Sequence, residues 1–333
     1  MRKILLSMLM VLVLTFPAYA ATYYAINAGG NWSAGGTWST ISAKDASRVG
    51  GAVAPTSVDD CILDDYSGNV TVSAASSAKS GNCVVNGNYA GILTFNSGQT
   101  LTMFGNLTFS ATMTIAGTGN LTFNSSATII SAGIASTIGS LTLMSSVYTL
   151  DTNGTTWTQL ILSSSSKTVT FASALQATTL NISISTTFAG GFDITCDTLI
   201  MGGSIANQYA FISGKTITAQ TNLYIFSNPI LPGTFKSATP TSAALLVYNG
   251  TAANCKVAGI IFTDINASGS AVPILNWYGG TLTRTDNIYN VTAASFPAVD
   301  DVENVVEYGG VDDASTNRLT GTLAAGGGGA WAQ

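Results

Sequence analysis

Seven leucines recur through the middle of the chain in nearly the same local setting, and this repeat limits the fold more than any other feature. Leu93, Leu107 and Leu121 lie fourteen residues apart, inside Gly91-Ile92-Leu93-Thr94-Phe95, Gly105-Asn106-Leu107-Thr108-Phe109 and Gly119-Asn120-Leu121-Thr122-Phe123. The spacing then becomes twenty, nineteen, twenty and nineteen through Leu141, Leu160, Leu180 and Leu199. A short unit repeated at near-constant period cannot bury its apolar side alone, so it stacks on its neighbours.

Within each unit apolar and polar residues alternate. Leu107 and Phe109 face one way and Thr108 the other, the period of two expected of a half-buried strand. Thr112-Met113-Thr114-Ile115 and Lys167-Thr168-Val169-Thr170-Phe171 add β-branched residues, and Gly, Asn and Ser punctuate the runs. The expected fold is all-β: a parallel β-solenoid, right-handed and β-helix-like, with the leucines in an interior column and turns rising by about 4.8 Å. On this reading fourteen residues make a short turn, so the first turns are expected to be flattened or two-sided. The rival is an antiparallel sandwich in which Met103-Phe104-Gly105-Asn106-Leu107-Thr108 is a hairpin.

The start of the chain reads as a secretory signal. Arg2 and Lys3 precede an apolar run from Ile4 to Phe16, then Pro17 and the small-x-small site Ala18-Tyr19-Ala20. The run is too short to span a bilayer, which takes about 20 apolar residues. An uncleaved membrane anchor is the alternative. Four segments follow: residues 1–20 as signal peptide, 21–65 as an N-terminal cap, 66–295 as solenoid, and 296–333 as an acidic C-terminal element with a Gly-rich tail. The expected location is secreted or cell-surface, with no membrane span after signal removal.

Charge narrows the partners. Removing Arg2 and Lys3 leaves nine of the eleven basic residues against sixteen acidic ones, a net charge of −7. Only 8% of residues are charged and histidine is absent. Nucleic-acid binding, which needs a basic stripe to displace counterions, is not expected. The positive mean hydropathy comes from small apolar residues scattered among polar ones.

Cys61, Cys83, Cys196 and Cys255 suit an oxidising destination. Cys61 with Cys83 is the preferred bridge, and Cys196 with Cys255 the second; buried free thiols are the alternative. With no Cys-x-x-Cys and no histidine, no metal site or cofactor is expected. The acidic stretch holding Asp300, Asp301, Glu303 and Glu307 would suit Ca²⁺ by ligand type, but lacks a calcium-loop pattern, so a solvated face is the simpler reading. The tail from Gly326 to Gln333 reads as flexible, ending in an exposed Trp331.

Trp32, in Gly29-Gly30-Asn31-Trp32-Ser33, and Trp38, in Gly36-Thr37-Trp38-Ser39, are expected to plug the open end of the core, where raw strand edges need covering. Sugar stacking is their alternative role. These two segments, with Pro55-Thr56 and Asp59-Asp60 and the Leu-Thr-Phe units after them, resemble the N-terminal region of β-helix proteins found among bacterial surface and secreted proteins and phage particle or tail-associated proteins. Val257 to Gly269 looks like a late turn of the same kind. Further on, Pro297, Asp301-Val302, Val305, Tyr308-Gly309 and Thr320-Gly321-Thr322-Leu323 are similar to an element recurring in phage and environmental-virus structural proteins. The resemblance implies a virion or extracellular particle as an alternative location, and makes a homotrimer worth testing. None of these matches is a catalytic motif.

No catalytic residues are expected. A glycosidase needs two carboxylates facing one cleft, and a lyase needs a uronate-neutralising cation or Arg with a strong base. Between Ser67 and Leu199 the charged residues are Lys79, Asp151, Lys167, Asp193 and Asp197, of which only Asp193 and Asp197 are close in sequence. Asp59, Asp60, Asp64 and Asp65 read as turn and cap acceptors. The sequons at Asn69, Asn106, Asn120 and Asn181 are those expected by chance in a chain so rich in Asn, Ser and Thr. The expected function is a non-enzymatic secreted or surface solenoid, structural or adhesin-like, that binds an extracellular glycan or a receptor and, by the resemblance, is phage-related. Tyr248, Trp277 and Tyr278 are its stacking candidates, an interior or interface place for them being the alternative. A polysaccharide lyase or glycoside hydrolase on the same scaffold is the alternative function.

Overall fold

The computed structural model describes residues 20–277 except 74–77, 132, 134–136, 165, 204–206 and 228–231, together with the backbone of five later strands. The expected signal peptide lies outside the described residues.

Strand after strand lies parallel and in register with the one a turn earlier, forming a β-solenoid of about nine turns with shorter strands at both ends. Sheet 1 and sheet 3 each run the length of the solenoid, and a four-stranded sheet 2 joins them on the early turns. Among the described residues only Trp38–Ser39 against Thr22–Ala25, and the C-terminal strands, pair antiparallel. That disposes of the sandwich. The step from Met103 to Leu107 is a corner between sheet 3 and sheet 1, not a hairpin.

The leucine repeat carries two different things. Leu101, Leu121, Leu141, Leu160, Leu180, Leu199 and Leu223 are register partners on successive strands of sheet 3, so nineteen to twenty-four residues make one turn. The fourteen-residue spacing is not a turn at all. Leu93 points inward from sheet 2 beside Val70 and Ile115, Leu107 from sheet 1 beside Cys83 and Ile129, and Leu121 from sheet 3. The Gly-Asn-Leu-Thr-Phe type of module recurs because each side of a turn needs a corner and then an inward-outward-inward strand.

The early turns are therefore three-sided, contrary to the flattened form expected of them. In later turns sheet 2 has ended and the strands of sheet 3 lengthen, at Thr156–Leu162, Leu175–Ile182, Ile194–Gly203 and Thr216–Ser227. In the first of these Trp157 and Leu160 are buried while Thr158 and Gln159 between them both face out. The alternation slips by one residue, which turns the strand without ending it. A register shift between Cys196 and Thr198 marks the same place in the third.

One continuous apolar core fills the tube. Fully burying a Leu or Phe stabilises by roughly 1.5–3 kcal/mol, and each turn supplies several. Phe171, Phe188, Phe211, Phe235 and Phe262 form a second column from sheet 1, with successive ring centroids 5.6, 4.7, 4.6 and 5.5 Å apart. At the corners polar side chains bind turn to turn: Asp60 accepts the backbone N–H of Asn82 (3.1 Å), Asn82 that of Asn106 (2.8 Å), and Asn106 that of Thr128 (2.8 Å). Backbone amides at and beside the corners thereby keep a partner.

At the far end Val306–Tyr308, Leu319–Thr322 and Ala330–Ala332 form a three-stranded antiparallel sheet. Trp331 is thus a strand residue opposite Gly321, where a flexible tail was expected. The acidic residues Asp300, Asp301 and Glu303, considered for Ca²⁺, lie outside the described residues.

Candidate functional site

The cap is built around two indoles. Trp32 and Trp38 are both fully buried, edge to face at 5.0 Å. Trp38 Nε1 donates to the Trp32 carbonyl (2.7 Å), and Trp32 Nε1 to the Lys79 carbonyl on the next turn (3.1 Å). Their rings are inaccessible to a sugar. Residues 40–59 then wrap the end of sheet 1, held by the buried Arg48. Its guanidinium donates to both oxygens of Asp64 and to the carbonyls of Ser42 and Ala43, between the rings of Tyr24 and Tyr66.

The acidic cluster beside the cap is spoken for. Asp59 accepts the N–H groups of Ala21 and Thr56 and the Thr56 hydroxyl. Burial alone would raise its pKa, but these hydrogen bonds outweigh it and the net shift is downward. Asp60 accepts both the backbone and side-chain N–H of Asn82, and Asp65 pairs with Lys44. Asp193 accepts the N–H of Thr216 on the next turn, while Asp197 sits exposed at the bend of its strand. Among the described residues no three His, Cys, Asp or Glu side chains converge on a point where a metal ion could sit.

Tyr248 is not a stacking platform. It is fully buried, and its hydroxyl lies 2.8 Å from the Thr251 carbonyl and 3.0 Å from that of Thr221. Inward-facing Ala244, Leu246 and Tyr248 share one strand face, so parity places the ring in the core. Trp277 closes the strand Ile274–Trp277, opposite Ala258; its side chain and the whole of Tyr278 lie outside the described residues.

The expected disulfides are absent. All four cysteines are free thiols, with Cys61, Cys83 and Cys196 buried. Cys61 and Cys83 are register partners on adjacent parallel strands. Side chains so placed project the same way and stay about one turn, ~4.8 Å, apart, whereas a disulfide draws its Cβ atoms to about 3.5–4.5 Å. Cys196 and Cys255 pair with Ala219 and Leu223 of one intervening strand, two turns apart and displaced along it. Burial raises every one of these thiols, Cys83 and Cys196 to about 12 and Cys255 to about 11.

What sequence reasoning missed is the outside of sheet 3. Lys79, Thr102, Thr122, Thr142, Ile161, Asn181, Ile200, Tyr224 and Lys256 are successive register partners in one outward column. Beside it, on the later turns, runs a second column of Gln159, Thr179, Thr198 and Asn222. Between Lys79 and Lys256 each outward residue sits next to an interior leucine, so the same repeat could have located both columns. A second surface feature is an open hollow of about 430 Å³ on the cap, lined by Tyr23, Ser39, Ile41, Val49 and Val53. No helix among the described residues is long and apolar enough to cross a membrane.

Compared with protein-family models, curated proteins and solved structures, the chain finds no match.

Proposed function

We propose that this chain is a secreted or cell-surface solenoid of structural, adhesin-like character that holds extracellular glycan on its outer sides without cleaving it. The observation that carries this reading is the assignment of the acids. Asp59, Asp60, Asp64 and Asp193 are each engaged in hydrogen bonds that hold turns or the cap together. A glycosidase would instead present two carboxylates across one groove. The outer sides are rich in hydroxyl and amide groups on a rigid frame, which suits multivalent contact with a carbohydrate. The resemblance to phage and bacterial surface proteins supports an extracellular particle or surface as the location, and a homotrimer as the assembly.

The test is to incubate the purified chain with a panel of neutral and acidic bacterial and algal polysaccharides, following both retention of protein and length of glycan. Retention with the glycan intact is expected. Shortened glycan would establish the lyase or hydrolase alternative, and failure to retain any glycan would end the adhesin reading. Light scattering of the same sample gives the assembly state, three chains being expected.

A further inference from the structure

We infer that the outer side of sheet 3 is the carbohydrate-contacting surface and that its ligand is a neutral, extended polysaccharide; this rests on the glycan-binding reading above. The column from Thr102 to Tyr224 crosses seven strands without a carboxylate or an amine, and Lys79 and Lys256 bound it at the two ends. At about 4.8 Å per turn the uncharged stretch is roughly 30 Å long. The adjoining Gln159, Thr179, Thr198 and Asn222 are equally uncharged, and Asp197 at the bend is the nearest acid.

Two observations support a ligand on this surface. Hydroxyls at the corners are consumed by the fold: Ser110 donates to the Gly87 carbonyl, Thr112 to that of Tyr89, and Ser131 to that of Thr152. On the sheet the hydroxyls of Thr102, Thr122 and Thr142 make no hydrogen bond to another described group, although all three are half-buried between their neighbours. They are fixed by β-branching and by the ladder, and their donors and acceptors point outward.

The second observation is chemical alternation down the column. After three threonines come Ile161, Asn181, Ile200 and the half-buried ring of Tyr224. A sugar chain has the matching duality, with hydroxyls at its edges and C–H groups on its ring faces. Aromatic and aliphatic groups take the C–H faces, and hydroxyls and amides take the edges. An anionic polymer would find no cation over the central strands, and a chain with net charge −5 repels it. Charge complementarity therefore selects the neutral class.

The experiment uses the full chain with microcrystalline β-1,4-glucan as the neutral probe and polygalacturonate as the acidic one. Retention on the glucan is expected to be unaffected by high salt. The double variant Thr122→Lys with Thr142→Lys should lose at least tenfold in affinity, whereas Thr149→Lys with Thr170→Lys, register partners on the outside of sheet 1, should bind as the parent does. Thr122→Val with Thr142→Val keeps the β-branched shape and removes only the hydroxyls; a several-fold loss is expected, and it serves if the lysine variant does not fold. Glucan binding unchanged in the sheet 3 variants would overturn the site while leaving glycan binding intact. Retention on polygalacturonate alone would overturn the neutral class. Retention on neither probe overturns the inference, and the wider panel then decides the glycan-binding reading separately.

Discussion

Arg48 meets Asp64 through both terminal nitrogens, Nη1 to Oδ1 at 2.7 Å and Nη2 to Oδ2 at 2.9 Å, with side chains 0% and 3% exposed. The pair joins residues 40–59 to the first complete turn, where a solenoid would otherwise expose its edge. Burial pushes the Asp64 carboxyl up. Hydrogen bonds from Arg48 and Ser67, the Arg48 charge and the Tyr66 N–H outweigh it, and the net shift is downward. A carboxylate depressed in the folded state adds stability that is full above its unfolded pKa, about 3.9, and is lost as pH falls through the lower folded value.

Removing one partner of a buried pair leaves the other charge uncompensated, at a cost of about 3–5 kcal/mol. Arg48→Met is therefore expected to release the cap, measured as loss of amide protection over residues 40–59 in hydrogen exchange. Loss confined to the cap is expected, because turns interact only with their neighbours. The parent's cap should open on acidification below about pH 4, and Asp64→Asn should have lost that acid transition. An unchanged acid profile in Asp64→Asn would show that another group controls the cap.

The thiols give a second prediction. Native protein should resist a water-soluble thiol reagent at Cys61, Cys83 and Cys196, which are 0–1% exposed, with the half-buried Cys255 reacting first. After denaturation without reductant all four should react. Fewer than four would mean that bridges form despite the stacked geometry of Cys61 and Cys83.

Much of this architecture was legible because inward residues obey parity. Leu121 to Leu199 revealed the turn length directly, since each step crosses the same two sheets. The fourteen-residue step misled because Leu93, Leu107 and Leu121 share a local module without sharing a side of the tube. The phenylalanine column was hidden for a related reason. Corners of unequal length separate Phe171, Phe188, Phe211, Phe235 and Phe262, so their spacing has no period. Tyr248 carries both a ring suited to a sugar and the parity of Leu246, and its burial decides for the interior place that the sequence left open beside the stacking role. The neutral columns on sheet 3 needed register across turns, which a single strand's alternation does not supply.

Lys167 supplies a third prediction. It is buried at the start of its strand, its Nζ donating to the Ser145 carbonyl at 2.7 Å and lying 5.8 Å from the centre of the Tyr148 ring. Burial lowers its pKa to about 8. Between that value and the unfolded pKa of about 10.4 the unfolded chain binds more protons at this lysine. Its own contribution to stability therefore rises with pH across this window and is lost as pH drops through 8. The buried thiols, whose pKa values are raised on folding, contribute the opposite slope. Lys167→Met should remove that slope and raise the denaturation midpoint at neutral pH, where the parent buries a charge. A chemical-denaturation series of parent and variant from pH 7 to 10.5 checks both: the variant's advantage in midpoint should shrink as pH rises, and a difference constant across the series would place the lysine in water.

Gly190 ends the sheet 1 strand Thr186–Gly190 with φ +99°, a conformation side chains rarely adopt. A Cβ there would lie 2.1 Å from the carbonyl oxygen of Phe171, its register partner one turn earlier. The obstacle is backbone of an adjacent turn, so it yields only if the turns part. That would disturb the Phe171–Phe188 stack, whose rings lie 5.6 Å apart. Gly191, the next residue, has open space around its Cα and no such φ. Gly190→Ala is therefore expected to lower the urea midpoint by a stability of at least ~1–3 kcal/mol, the range for residues held in disfavoured backbone regions, while Gly191→Ala stays within about 0.5 kcal/mol of the parent. Equal midpoints for the two variants would show that this corner is loose, and that the turns on either side of it are held together by the interior columns alone.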